Sequence, residues 1–319
     1  MVDHGAAFSY RRTVPTSRNV TTSSVTVRRR TVTVRRVLTI ALAATTLLLA
    51  AAACTPVASR GQFTVPAGPC ADATMLWARG SSMPVRSGEA RAAQRRFREG
   101  MTAEAPGLTA GTLELGDLNA DGTLDEGGYP AVPGGLMAGL DTRADPTKDL
   151  PVIGGFNESV RLGGDELVSV LGTLHARCPD QVFVVSGISQ GAEAVMRGLA
   201  LLPPDLMARV AAVHVFGDPG FVVGPWMVAP DTEIPSGHGI LGPRSPYVPA
   251  PLEARTTSWC AQFDGVCTGQ FWLAVLDAVK ECPQHRDLPV CARRHTDYDY
   301  WAFEPAMRSA ARSVLSLRG

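Results

Sequence analysis

The sequence predicts an α/β fold in which a central, mainly parallel sheet is covered by helices on both faces. Three observations lead there. Short apolar runs alternate along the chain with segments of helical period, the pattern of a parallel sheet with crossover helices. The stretch from Arg209 to Phe216 reads as a buried strand. A third run, Val182 to Val185, passes through Gly187-Ile188-Ser189-Gln190-Gly191 straight into a helix-favouring segment ending near Ala200. That is strand, sharp turn and helix, with a serine at the turn.

The elements follow in order. Residues 1–36 are basic and rich in Ser and Thr, and Val37 to Ala53 is an uncharged, mostly apolar run ending Ala51-Ala52-Ala53-Cys54. A basic region, an apolar run and small residues before a cleavage point make an export signal, assigned to residues 1–53. The basic region is unusually long, so a downstream translation start fits as well. A retained anchor is the alternative, although 17 uncharged residues are marginal for a membrane span. Residues 54–69 read as a linker, and residues 70–319 as one catalytic domain. Within it, Ala73 to Trp77 is the first strand, leading into Ala78-Arg79-Gly80-Ser81. Ser87 to Met101 is a surface helix with Arg91, Arg95 and Arg98 on one side. Thr112 to Leu115 is a short strand, and residues 116–156 are loop. Ser159 to Arg177 carries an apolar face of Val160, Leu167, Val168, Leu171 and Leu174 at helical spacing. After the serine turn and the strand to Phe216, residues 217–253 read as Pro/Gly-rich loop. Ala254 to Trp259 is the last strand, and Gln270 to Lys280 a helix. Glu304 to Leu317 is the closing helix, with Pro305 in its first turn.

Charge and cysteine usage narrow the function. Residues 1–53 hold eight Arg and one acid, leaving 22 basic and 29 acidic residues, a balance of −7, in the remainder. That argues against a nucleic-acid partner, which demands a basic footprint. There are seven cysteines; setting Cys54 aside leaves six, the even number expected of three disulfides in an oxidising compartment. Cys54 follows three alanines at the end of the apolar run and resembles a lipidated cysteine, without the usual leucine three positions before it. Lipid attachment there would tie the protein to the cell envelope; ordinary cleavage nearby is the alternative.

Glycines two before and two after Ser189 let backbones approach closely and permit strained φ/ψ, so the hydroxyl projects above the sheet edge. The Gln190 N–H then lies at a helix N-terminus, where developing negative charge is stabilised. A serine needs a base, and the base an orienting acid. Downstream, Cys260-Ala-Gln-Phe-Asp264-Gly-Val-Cys267 sets an aspartate inside a loop that a Cys260–Cys267 bridge would close and hold. Six histidines compete for the base: His4, His175, His214, His238, His285 and His295. His4 lies in the export segment and His214 mid-strand, where a core role fits better.

These motifs resemble the cutinase family of serine esterases, in its bacterial branch. Gly187-Ile-Ser-Gln-Gly-Ala192 is similar to the family's G-Y-S-Q-G-A, with Ile188 in the tyrosine position. Arg79-Gly80-Ser81 resembles the A-R-G-[ST] segment, Ser159 and Gly163 match S-x-x-x-G, and Phe216-Gly-Asp-Pro219 matches F-G-D-P. The spacing Cys260, Asp264, Cys267 agrees, and His295-Thr-Asp-Tyr298 resembles H-x-x-Y. The resemblance runs from about Cys70 to the C-terminus. It implies an α/β-hydrolase-type three-layer sandwich with Ser189 as nucleophile, Asp264 as acid and His295 as base. The oxyanion donors would be Ser81 and Gln190, and Cys70 would pair with Cys178.

Two departures stand out. His295 follows Asp264 by 31 residues where about a dozen is usual, and the insertion carries Cys282 and Cys291, expected as a third bridge. His285 would lie inside that bridge, whereas His295 precedes the aromatic run Tyr298, Tyr300 and Trp301. The second departure is the segment Gly116 to Gly128, ahead of Tyr129-Pro130-Ala131. Its Asp117, Asn119, Asp121, Thr123 and Asp125 fall at calcium-loop positions with Gly122 at the turn, so structural calcium is an expectation. Position 12 is Gly128 in place of the bidentate Glu, and Glu126 is the substitute; a solvated acidic turn is the alternative. The reading is a secreted monomer acting on acyl esters or lipids without a required cofactor. The alternatives are acyl transfer, thioester or phospholipid hydrolysis by the same triad, or an inactive lipid-binding envelope protein.

Overall fold

The computed structural model describes residues 63–133, 152–228, 237–261, 264–270, 295 and 297–318, all within the unit Ser59–Gly319. The export segment, Cys54, most of the predicted helix at 270–280, Cys282, His285 and Cys291 lie outside the described residues.

The sheet is built from β1 (Ala73–Ala78), β2 (Ala110–Glu114), β3 (Val182–Ile188), β4 (Val210–Phe216), β5 (Met227–Val228) and β6 (Thr256–Trp259). Their order is β2-β1-β3-β4-β6-β5, and every pairing is parallel. Strands β1, β3 and β4 are buried at every residue, which is why they read as continuous apolar runs. Their side chains alternate between two cores. Leu76, Phe183, Val185 and Val213 point to one, and Met75, Trp77, Val184 and Ala212 to the other.

The first core is capped by α2 (Val152–Arg177) and α3 (Gln190–Leu201), the second by α1 (Gly88–Glu104) and α5 (Phe303–Arg318). A short α4 (Pro204–Arg209) leads into β4. Ser87 caps α1 by accepting the Ala90 N–H at 3.1 Å, and Arg91, Arg95 and Arg98 are exposed, as the spacing predicts. The second core is aromatic beneath the closing segment: Phe216 meets Phe303 at 4.8 Å and Tyr298 at 5.6 Å between ring centroids, and Tyr298 meets Trp301 at 5.6 Å.

Three elements differ from the sequence pattern. Helix α2 starts at Val152, not Ser159; Gly154 and Gly155 cost about 1 kcal/mol each in helix propensity, which packing of α2 on α3 outweighs. Within the predicted 217–253 loop, Met227–Val228 pairs with the edge of β6, and Ala250–Arg255 forms a 3₁₀ turn. Residues this few carry no period to detect.

The chain runs outward from β1 to β2 and returns to β3 on the other side of β1. Strand order therefore reverses between β1 and β3, and ligand sites of open parallel sheets form beyond the carboxyl ends of strands at such a point. Ser81 follows β1 and Ser189 follows β3.

Candidate active site

Ser189 bridges β3 and α3 with φ 55° and ψ −121°, a conformation an L-residue holds only when its surroundings enforce it. The enforcement is local. A Cβ on Gly187 would lie 2.6 Å from the Gly191 carbonyl oxygen, and one on Gly191 would strike the Ala78 carbonyl, so neither position admits a side chain. The Ser189 N–H donates to the Phe216 carbonyl at 2.8 Å, tying the turn to the end of β4. Ile188 and Gln190 are buried while Ser189 is half-buried, which leaves the serine as the accessible member of the turn.

Beyond β4, Gly217 has φ 56°, and a Cβ there would sit 2.8 Å from Asp264 Oδ2 and 2.9 Å from His295 Nδ1. The bare glycine thus leaves room for an acid–imidazole pair beside the serine turn. His295 Nδ1 lies 2.9 Å from each Asp264 carboxylate oxygen. Asp264 is fully buried and the His295 side chain 13% exposed. Tyr298 donates its hydroxyl to Asp264 Oδ2 at 2.6 Å, and the Val266 N–H donates to Oδ1 at 2.9 Å. Burial pushes the Asp264 carboxyl up, but the facing His295 charge and these hydrogen bonds outweigh it and hold the group below the usual range. An ionised carboxylate only accepts, so Nδ1 carries the proton and Nε2 is left as the basic nitrogen.

The Cys260–Cys267 disulfide closes the loop around Asp264, and Cys70–Cys178 joins the segment before β1 to the end of α2. These are two of the three expected bridges; Cys282 and Cys291 lie outside the described residues. His214, as its mid-strand position suggests, is a core residue: Nδ1 accepts from Trp259 Nε1 at 3.3 Å, and burial pushes its pKa down to about 4. His238 Nδ1 lies 2.7 Å from the adjacent Gly239 carbonyl, and His175 sits in the last turn of α2.

On the opposite bank, Arg79-Gly80-Ser81 leaves β1 beside the serine; a Cβ on Gly80 would be 3.4 Å from the Ser189 Cβ. Gln190 is the first residue of α3, so its N–H belongs to the unpaired set at a helix N-terminus.

A charged cluster with no assigned role in the sequence lies behind the Asp264–His295 pair. Asp218 is buried and accepts from Arg244 at 3.1 and 3.2 Å, from the Tyr247 hydroxyl at 2.7 Å and from the Gly220 N–H at 3.0 Å. Arg244 also pairs at 2.5 Å with Glu193, in the first turn of α3. One guanidinium therefore ties the helix after Ser189 to the loop that carries Gly217. The only signal in the sequence was the F-G-D-P match itself, since Arg244 lies in a Pro/Gly-rich stretch without a pattern.

The acidic loop is bonded to itself. Asp117 accepts the Gly122 N–H at 3.1 Å and faces Arg86 Nε at 3.0 Å. Asp121 accepts from the Thr123 N–H and hydroxyl and from Asn119, and Asp125 accepts the Leu118 N–H. Among the described residues, no group of three or more His, Cys, Asp or Glu side chains is arranged to hold a metal ion.

The parallel sheet, the strained serine and the flanking helices define an α/β-hydrolase-type fold. Residues 142–277 match the Cutinase family model, a stretch that includes Ser189 and Asp264 but neither Ser81 nor His295. A cutinase of Botryotinia fuckeliana is 28% identical over 151 residues, 47% of this chain and 58% of that protein. Carboxylesterase Culp1 of Mycobacterium tuberculosis is 30% identical over 121 residues, 37% of this chain and 49% of that protein. The chain thus spans about half the length of the curated relatives it matches. Among solved structures, the catalytic core of an acetyl xylan esterase from Trichoderma reesei aligns with a TM-score of 0.52 at 17% identity, over 76% of this chain and 98% of that one. The matched stretch, less than half of the chain, is similar to the cutinase family.

Proposed function

We propose that the protein is an exported serine carboxylesterase that hydrolyses acyl esters through an acyl-enzyme on Ser189. The observation that carries this reading is the contact of the His295 imidazole with the buried Asp264 carboxylate at 2.9 Å, next to a serine in a strained turn. His295 Nε2 takes the Ser189 proton as Oγ attacks the ester carbonyl. The Gln190 N–H and the Ser81 N–H or hydroxyl donate to the oxyanion, each worth about 3–4 kcal/mol to the transition state. His295 then returns the proton to the departing alcohol, and water, activated by the same imidazole, releases the acid. Asp264 stays ionised throughout and stabilises the imidazolium. The steps draw on these side chains and water alone.

The names of the matched relatives, a cutinase and a carboxylesterase, support an ester or lipid substrate. Two disulfides among the described residues support an oxidising compartment, in keeping with an export segment at 1–53 and lipid attachment at Cys54. The test is an initial-rate panel of acyl esters from short to long chains, with cutin and phospholipid included, run on the wild type and Ser189→Ala. The substitution is expected to lower kcat/KM by at least about 10⁴-fold with the fold retained. Comparable turnover by a folded Ser189→Ala protein would end this reading.

A further inference from the structure

The two proposed oxyanion donors sit on different elements, Ser81 after β1 and Gln190 at the start of α3, and one short segment bonds to Arg79 and Ser82 on the first and to the Gln190 side chain on the second. The Tyr129 hydroxyl donates to the Arg79 carbonyl at 2.8 Å and to Gln190 Oε1 at 3.2 Å. A phenol has one proton, so the two acceptors share it, and both are pulled toward the same oxygen. The rest of the segment repeats the pattern. The Ser82 N–H donates to the Ala131 carbonyl at 2.8 Å, and Gln190 Nε2 donates to the Val132 carbonyl at 3.1 Å.

Tyr129 is itself held firmly. Its ring is fully buried, and a Cβ on Gly163 would lie 2.7 Å from it, so α2 is pressed against the ring. Its N–H donates to Glu166 Oε2 at 2.6 Å, its carbonyl accepts from Arg79 at 2.7 Å, and Ser159 gives Gln190 Oε1 a second donor at 2.9 Å. The other Glu166 oxygen accepts the Gly116 N–H at 2.8 Å, so one carboxylate pins both ends of the acidic insertion. The S-x-x-x-G pattern of α2 acquires a purpose: Ser159 reaches Gln190, and Gly163 makes room for Tyr129.

We propose that Tyr129 is a positioning residue for ester hydrolysis, whose hydroxyl sets the spacing between the Ser81 loop and the Gln190 N–H that together receive the oxyanion. The inference rests on the esterase reading above. Oxyanion donors are main-chain dipoles, whose effect on rate depends on being fixed before charge develops. Tyr129 touches neither the ester nor Ser189; it acts through Arg79 and Gln190.

The experiment compares wild type, Tyr129→Phe and Ser189→Ala on p-nitrophenyl butyrate, with end-point fluorophosphonate titration and the affinity of a trifluoromethyl ketone. The ketone adds Ser189 Oγ to its carbonyl and leaves an oxyanion between the donors. Phenylalanine fills the same space, so Tyr129→Phe is expected to keep a full titre and a KM within about twofold. Its kcat should fall about 10- to 100-fold, and ketone affinity by the same factor. A wild-type kcat, or a loss matched by a lower titre, overturns the proposal, because a purely structural tyrosine would change the folded fraction and not the rate per titrated site. Should Tyr129→Phe fail to fold, Ser159→Ala removes the other donor to Gln190 Oε1. It is expected to give a smaller loss with the same split, and an unchanged kcat there overturns the proposal. A wild type without turnover or Ser189 labelling overturns the esterase reading and this inference together. An active wild type with an unaffected Tyr129→Phe overturns the inference alone.

Discussion

The two banks of Ser189 are built from different forces. On the bank of the proposed oxyanion donors, side chains mostly bind backbone: Tyr129, Ser159, Gln190 and Arg79 satisfy carbonyls and amides of residues 79–83 and 129–132, with Arg79 also paired to the buried Glu114 at 3.0 Å. On the base bank, charge meets charge: Asp264 with His295, and Asp218 with Arg244 and Glu193. The difference follows from what each bank presents. A main-chain N–H can be aimed only by fixing the chain that carries it, whereas an imidazole is aimed and made more basic by a facing carboxylate. The two banks should therefore fail differently when cut.

The largest expected loss is at the proposed base. His295→Ala should lower kcat/KM by about 10⁴-fold or more, while His285→Ala should leave it within about threefold. Separate rate measurements on the two variants decide between them. Loss at 285 with retention at 295 would move the base and dissolve the Asp264 pairing as the organising contact.

Next comes Arg244. Arg244→Met leaves Asp218 and Glu193 facing each other without their cation. Removing one partner of a buried pair costs about 3–5 kcal/mol, reduced here to about 2–3 because the Arg244 side chain is 20% exposed. Thermal unfolding should shift down accordingly. Burial, with the Asp218 charge beside it, already raises the Glu193 pKa, so the destabilisation should ease as pH falls and the Glu193 carboxyl protonates. A midpoint within 1 °C of wild type, by about the scale on which such losses read, would mean that the cluster does not hold the bank together.

How far these banks could be read in advance depended on sequence distance. The strained turn at Ser189 and the bridged loop at Asp264 were legible because each lies in a short contiguous motif whose glycines or cysteines declare the geometry. The pairing of His295 with Asp264 was signalled by the aromatic residues after His295, of which Tyr298 bonds Asp264 directly. The strands were legible because burial on both faces writes an unbroken apolar run. The cluster around the proposed oxyanion donors was not, since Arg79, Tyr129, Glu166 and Gln190 are brought together only by the crossing of β1, α2 and α3. Glu166 in particular looks in the sequence like one more polar residue on a helix, yet it is fully buried with two backbone donors.

That burial gives the smallest predicted effect and one specific to the oxyanion bank. Burial raises the Glu166 pKa to about 7, against the N–H donors of Gly116 and Tyr129 that favour the anion. A folded pKa above the unfolded one means that the native state binds the proton more tightly. The associated stability is fully present below the ordinary carboxylate value and is lost as pH rises toward 7. The contribution is about 1–3 kcal/mol, and Glu166→Gln should flatten the slope of unfolding midpoint against pH between roughly 4.5 and 7. An unchanged slope would assign that titration elsewhere.

The most direct test of the account is mapping of a fluorophosphonate adduct by mass spectrometry, with the labelling rate followed in wild type and Asp264→Asn. The account predicts one adduct, on Ser189, and a rate lowered by about 10³- to 10⁴-fold when the carboxylate is removed. An adduct on another residue, or equal rates in the two proteins, would contradict it.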